Sequence, residues 1–114
     1  MIVVIFEVEP LPGQAGRYFD TAASLREDLQ ATDGFISVER FESLTRPGHF
    51  LSLSFWRDEE AVRRWRSAGR HRDAQREGRS AIFAGYRIRV ASVLRDYGLT
   101  DRAQAPADSW HDLT

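Results

Sequence analysis

The stretch "FLSLSFWRDEEAVRRW", Phe50–Trp65, decides the fold, because its hydrophobic period changes part-way along. Over Phe50–Trp56 two side-chain sets alternate, as in a β-strand with one buried face. After Asp58, a residue type that favours helix N-caps, apolar residues recur at helical spacing. The stretch therefore predicts a strand followed at once by a helix, whose buried stripe comprises Ala61, Val62 and Trp65.

The segment before this stretch completes a hairpin. "FISVERFESL", Phe35–Leu44, alternates loosely, and "TRPGH", Thr45–His49, has the composition of a turn. Two strand patterns joined by a short turn predict a β-hairpin.

The first third of the chain predicts a strand and a helix. "IVVIFEVE", Ile2–Glu9, is apolar at both odd and even positions, which is typical of a strand covered on both faces. The segment from Arg17 to Gly34 shows helical periodicity, and Gly34 is expected to be its C-cap. The buried stripe of that helix comprises Tyr18, Ala22, Leu25 and Leu29.

The C-terminal part predicts a short helical piece and a last strand. The helical pattern breaks at "SAGRH", Ser67–His71, and resumes from His71 to about Ile82. The last strand is predicted at "YRIRVASVLRDY", Tyr86–Tyr97. Residues 98–114 show no periodicity and are expected to form an extended tail. Residues 1–97 are therefore expected to form the domain.

The element order is β-α-β-β-α-β, which predicts an α+β fold of the ferredoxin-like type, with an antiparallel sheet and both helices on one face. The other sheet face would stay open, although Val3, Ile5 and part of the hairpin are apolar on that side. An exposed apolar patch of this size requires a cover. A second copy of the chain is the simplest cover, so we expect a homodimer through the open sheet face.

Composition excludes several functional classes. The 114 residues suit a single domain, and a net charge of −1 gives no general attraction to nucleic acid or to anionic membranes. No cysteine and no lysine are present, which excludes thiolate and Schiff-base chemistry. The apolar N-terminal run is too short for a signal peptide or a membrane span, so a cytoplasmic location is expected.

The chain resembles the antibiotic biosynthesis monooxygenase family of dimeric α/β-barrel proteins. The resemblance rests on the hydrophobic first strand, the run Phe50–Trp65 and the histidine in "GRHRDAQREGR". It implies a pocket between the sheet and the broken second helix, which would hold a small hydrophobic or aromatic molecule. The family's oxygenases use neither metal nor flavin: a substrate carbanion reacts directly with dioxygen, while the protein supplies a base, orientation and a dry cavity.

The haem-degrading branch of the family is less similar. That branch has an asparagine on the first strand, a tryptophan on the second helix and a histidine about ten residues later. Trp65 matches the tryptophan, but position 75 holds Gln75, and the first strand offers Glu7 or Phe6 instead of asparagine. No cofactor is therefore expected, and haem is the disfavoured alternative.

Six residues are candidates for the site. His71 is the candidate general acid or base, because histidine titrates near neutrality, and it would be the axial ligand if haem bound. Trp65 would shape the pocket and orient the substrate; packing in the core is the competing interpretation. The candidate substrate-binding residues are Gln75, Trp56, Gly78 and Glu7. No metal site is expected, because the three histidines lie far apart.

Three functions remain open from the sequence: a cofactor-independent monooxygenase acting on an aromatic or quinol-like substrate, a haem-binding or haem-degrading protein, and a non-catalytic dimeric module that binds a small ligand or serves in stress response. RNA recognition motifs share this element order, but they need a third strand with glycine and stacking rings. "HFLSLSFW" offers leucines at those places, so RNA binding is not expected.

Overall fold

A computed structural model describes residues 1–68, 73, 76 and 82–108. The elements in chain order are β1 Ile2–Pro10, α1 Ala15–Ser24, α2 Arg26–Ala31, β2 Phe35–Glu42, β3 Phe50–Trp56, α3 Glu59–Ser67 and β4 Phe83–Ser92. The strands form one antiparallel sheet in the order β2-β3-β1-β4. This arrangement confirms the predicted ferredoxin-like fold.

The helices pack on one face of the sheet, and two clusters form the core. One cluster joins Leu29 and the α3 residues Ala61 and Val62 to Trp56 of β3. The other joins Tyr18 of α1 to the β1 residue Val8 and to Ile82, which precedes β4, with phenylalanines packed around them. The predicted helical stripes are therefore the ones that face the sheet.

The β3–α3 junction agrees with the sequence prediction. Asp58 is the N-cap of α3, and its carboxylate Oδ1 accepts a hydrogen bond of 2.9 Å from the backbone N–H of Ala61. This bond satisfies one of the backbone donors that a helix leaves free in its first turn.

The first helix differs from the prediction. It is divided at Leu25 into α1 and α2, and the helical stretch ends at Ala31, with Thr32 as the C-cap residue. Gly34 is therefore not the C-cap. It lies in the turn into β2 with a φ of +90°, a backbone conformation that favours glycine.

The last strand also differs from the prediction. β4 begins at Phe83 and ends at Ser92. Beyond it, residues 93–108 form no helix or strand, and local hydrogen bonds shape turns such as the one from Gly98 N–H to Asp101 O, 2.8 Å. The predicted strand at Val93–Tyr97 is wrong, because these residues pair with no neighbouring strand.

β2 contains a bulge near its start. Phe35 lies opposite Trp56, but Ser37, two residues on, lies opposite Phe55, only one residue back. Ile36 is the extra residue. Because side chains alternate between the faces of a sheet, the bulge changes the face to which all later β2 residues belong.

Candidate active site between the sheet and the helices

A cavity of about 280 Å³ lies between the sheet and the helices. α1 and α2 supply one wall, through the predicted stripe of Tyr18, Ala22, Leu25 and Leu29 together with Thr21. β1 and β4 supply apolar side chains on the opposite wall: Val4, Phe6, Phe83, Tyr86, Ile88 and Val90. The cavity therefore offers a ligand mainly hydrocarbon and ring surface.

Aromatic rings form one end of the cavity. The ring of Phe6 meets those of Tyr18, Phe83 and Tyr86 edge-on, with centroids 6.4, 5.8 and 5.7 Å away. Tyr18 and Phe83 meet in the same way at 5.8 Å. Such contacts fix the ring orientations, so this end of the cavity is a firm surface for a planar or cyclic ligand.

Polar side chains lie mainly on β2 and β3. Arg40, Ser52 and Ser54 line the cavity from these strands. Ser54 is already engaged, because its Oγ accepts a 2.9 Å hydrogen bond from the indole N–H of Trp56. The Nε of Arg40 and the hydroxyl of Tyr18 are buried and have no hydrogen-bond partner.

Two of the predicted site residues line this cavity. Trp65 contributes from α3 and is half-buried. Trp56 contributes from β3, where it is 2 % exposed and packs edge-on against Phe35 at 5.3 Å. Trp56 thus belongs to the core and to the cavity wall at once. The catalytic role assigned to Trp65 stays a prediction.

Glu7 lies on the other face of the sheet. It stands opposite Leu51 of β3 and Arg87 of β4, and its carboxylate forms an ion pair of 3.0 Å with Arg89. Val4 and Phe6 are the β1 residues that line the cavity. This position does not support the expectation that Glu7 binds substrate there, because residues of opposite parity on one strand point to opposite faces.

His71, Gln75 and Gly78 lie outside the described residues, so their predicted roles stay predictions. Within the described ranges no cluster of three or more His, Cys, Asp or Glu side chains suited to a metal ion occurs. In the same part of the chain, no helix has the length and hydropathy needed to cross a bilayer.

A second hollow, of about 540 Å³, lies between the N-terminus and the residues after β4. Its lining includes Arg95, Asp96, Asp101 and Gln104 and contains no aromatic side chain. The inter-layer cavity is the better candidate site, because ligand pockets are mostly apolar with a few placed polar groups.

Comparison with known proteins identifies the family. A family model described as antibiotic biosynthesis monooxygenase matches residues 1–77. The chain belongs to this family. The resemblance read from the sequence is thereby confirmed.

Two curated relatives extend this assignment. A protein of Pyricularia oryzae named jasmonate monooxygenase ABM is 48 % identical over 93 residues, which are 82 % of this chain and 43 % of that protein. YqjZ of Bacillus subtilis, an uncharacterised protein, is 31 % identical over 78 residues, which are 68 % of this chain and 67 % of that protein. The chain thus spans less than half the length of the Pyricularia relative.

Solved structures share the fold of this family member. Rv0793 from Mycobacterium tuberculosis has a TM-score of 0.75 at 16 % identity, with coverage of 85 % of this chain and 98 % of that one. PA3566 from Pseudomonas aeruginosa has a TM-score of 0.70 at 18 % identity, covering 82 % and 93 %. At such identities the similarity concerns the fold alone.

Arg40 is a charged cavity residue that the sequence analysis did not identify. In a regular strand starting at Phe35, Ser37, Glu39 and Phe41 would share its face. The bulge at Ile36 instead brings Val38 and Arg40 to the helix-facing side. The signal in the sequence is the loose alternation of "FISVERF", which is typical of a strand with an irregularity.

Proposed function

We propose that this protein is a monooxygenase that uses dioxygen to oxidise a small, largely apolar molecule held in the inter-layer cavity. The cavity carries the proposal, because it is lined by hydrocarbon and aromatic side chains from both layers. Family membership supports it, as does the 48 % identity to a relative named as a jasmonate monooxygenase. An apolar, water-excluding site is what a reactive carbanion requires.

The reaction we propose needs no external reductant. A base removes a proton from a CH₂ group that a neighbouring carbonyl or aromatic ring acidifies, and the carbanion passes its electrons to dioxygen. A hydroperoxide R₂CH–OOH forms and loses water, so that R₂CH₂ and O₂ give R₂C=O and H₂O. His71 is the candidate base from the sequence. The described residues contribute binding, orientation and exclusion of water, with the rings of Phe6, Phe83 and Tyr86 beside the ligand.

The test is oxygen incorporation by the purified protein. Anthrones, quinols and jasmonate are incubated under ¹⁸O₂, and the products are analysed by mass spectrometry. We expect one labelled oxygen atom per product and oxygen uptake equal to product formed. Trp65→Leu is expected to lower kcat/KM about tenfold by loosening the cavity wall. The control is Arg46→Met in the exposed β2–β3 turn, which should change nothing.

Further arms separate the alternatives. Label incorporation only with reduced flavin or NADPH present would contradict the cofactor-independent reaction. A saturable Soret shift on addition of haem, lost in His71→Ala, would favour the haem-binding alternative. Ligand binding without any oxygen uptake would favour the non-catalytic module.

We further propose that the open sheet face pairs with the same face of a second copy. Val3 and Ile5 of β1, and Leu51, Leu53 and Phe55 of β3, share this face. Phe41 on β2 is 43 % exposed there. The helical residues of both core clusters pack on the opposite face. A self-complementary apolar face of this kind suits a two-fold dimer.

A further inference from the structure

We propose that the ligand of the cavity is an amphipathic carboxylic acid, whose carboxylate binds Arg40 and whose apolar body extends toward β4. The inference rests on the proposed function only in using the same cavity, and it adds the chemical class and the direction of the ligand.

Arg40 is a partly buried cation whose guanidinium lacks an anionic partner within the described residues. Its side chain lines the cavity, and its Nε is buried without a hydrogen-bond partner. Within the described ranges no hydrogen bond or ion pair engages its guanidinium, whose contact is with the ring of Tyr18, 6.0 Å from Cζ to the ring centroid. A partly buried guanidinium without an anion is costly, and a carboxylate satisfies it with two parallel hydrogen bonds.

Tyr18 offers a second donor in the same cavity. The residue is 5 % exposed, and its hydroxyl is buried without a hydrogen-bond partner. Phenylalanine would fill the same space, so the O–H is the group by which Tyr18 differs from a purely apolar lining residue. A carboxylate held by Arg40 would give that hydroxyl an acceptor.

The strand register gives the cavity a direction. Across the sheet, Arg40 lies opposite Ser52, Ser52 opposite Phe6, and Phe6 opposite Ile88. The row begins with a cation and a hydroxyl and ends with two hydrocarbon side chains. With neighbouring strands about 4.8 Å apart, it spans about 14 Å. A ligand with an anionic head and an apolar body matches this order, so the body lies over β1 and β4.

The charge of the residues that line the cavity also favours an anionic ligand. Of the described lining residues, Arg40 and Arg66 are basic and none is acidic. The two arginines belong to different elements: Arg40 projects from the sheet, and Arg66 is exposed on α3. The buried, unpartnered nitrogen belongs to Arg40, which makes Arg40 the anchor.

The test compares acids with their methyl esters. Binding of jasmonic acid and methyl jasmonate, and of 1-naphthylacetic acid and its methyl ester, is followed by calorimetry. For the two jasmonates it is followed also by tryptophan fluorescence, to which Trp56 and Trp65 in the cavity wall contribute. For the unmodified protein we expect each acid to bind roughly 30-fold more tightly than its ester. Arg40→Met should remove this preference and leave ester binding unchanged.

Three further variants test whether the preference for acids depends on Arg40 and Tyr18. Arg40→Lys keeps the charge and should retain part of the preference, and Tyr18→Phe should reduce it about fivefold. Arg46→Met, in the exposed turn of the same hairpin, should retain all of it. Because the measured quantity is a ratio of two ligands on one variant, a loss of stability alone does not change it. Circular dichroism confirms that each variant is folded.

Two results would overturn the inference: equal binding of acid and ester by the unmodified protein, or loss of the preference in Arg66→Met but not in Arg40→Met. Both are binding measurements and are independent of turnover. Acid-selective binding without oxygen uptake would support this ligand class and contradict the oxygenase. Oxygen uptake with neutral substrates, together with equal binding of acid and ester, would support the oxygenase and contradict this ligand class.

Discussion

A β-carbon placed on Gly34 would lie 2.6 Å from the β-carbon of Ala61. Gly34 is the last residue before β2, and Ala61 lies in the first turn of α3 and is fully buried. The absence of a side chain at Gly34 therefore lets the first turn of α3 pack closely against the turn into β2.

Gly34→Ala is predicted to destabilise the protein by about 3 kcal/mol, because it combines an unfavourable positive φ with a clash against α3. Gly48→Ala is the matched control: its φ is +83°, but no atom lies within 4 Å of the added carbon. We expect it to cost about 1 kcal/mol. Urea unfolding measures both, and equal losses would show that the contact with Ala61 is unimportant.

The cap of α3 gives a second prediction. Asp58→Ala should lower Tm by roughly 5 °C, because the Ala61 N–H loses its acceptor. Asp58→Asn keeps a capping oxygen and removes only the charge, so its Tm should fall clearly less than that of Asp58→Ala. A similar loss in both variants would assign the effect to charge instead of capping.

Acid is predicted to weaken the β3–α3 junction. Hydrogen bonding from the Ala61 N–H and from Arg57 lowers the pKa of Asp58, and hydrogen bonding from Arg57 lowers the pKa of Asp33. Folded-state pKa values below the unfolded value of about 4 mean that the stabilisation is fully present above pH 4 and is lost as pH falls through the lowered values.

The measurement is the urea midpoint from pH 6 to pH 2. Asp33→Asn/Asp58→Asn should show a shallower decline than the unmodified protein, since these two groups no longer titrate. Asp20→Asn, exposed on α1, is the control and should leave the slope unchanged. Identical slopes in the double variant and the unmodified protein would contradict the prediction.

The hydrogen bond from Trp56 Nε1 to Ser54 Oγ, 2.9 Å and buried, can be measured by a double-mutant cycle. Trp56→Phe should cost about 2 kcal/mol, from lost packing and a lost bond. Ser54→Ala should cost about 1 kcal/mol, because it leaves the indole N–H unpaired. The double variant should cost less than the sum, and strict additivity would mean that the bond contributes nothing.

The proposed dimer predicts a position-dependent effect of a new charge. Leu53 lies near the centre of the open sheet face, opposite Ile5 and Glu39. Leu53→Glu should weaken self-association roughly a hundredfold, because it places like charges inside the interface. Leu44→Glu, at a residue 100 % exposed in the hairpin turn, should leave it unchanged. Sedimentation equilibrium measures both, and a monomeric unmodified protein would refute the dimer.

Hydrophobic periodicity predicted the fold correctly, because the apolar stripe of each helix packs against the sheet. Tyr18, Leu25 and Leu29 face the cavity, and Asp58 caps α3. Local pattern did not foresee the break at Leu25, since the apolar spacing continues across it. The need for glycine at position 34 comes from a tertiary contact with Ala61 of α3, which lies 27 residues further along the chain and so is not visible in the local sequence pattern.

The site was harder to predict than the fold, because side-chain direction depends on register. Trp56 and Trp65 line the cavity, in agreement with the parity of β3 and the period of α3, while the roles assigned to them stay predictions. Glu7 was misplaced, since a run that is apolar on both parities does not show which face meets the helices. Arg40 was overlooked because one extra residue in β2 reversed the parity around it.

The bulge at Ile36 makes the polarity of the cavity depend on the length of β2 and not only on its composition. Deletion of Ile36 itself would only make the strand regular, because Phe35 would stay opposite Trp56 and Arg40 opposite Ser52. Deletion of Glu39 with the bulge kept would instead place Phe41 in the row that now holds Arg40, and move Arg40 to the open face. With the role we propose for Arg40, the loss of one residue between the bulge and Arg40 would therefore replace the anion-binding side chain of the cavity with a neutral ring.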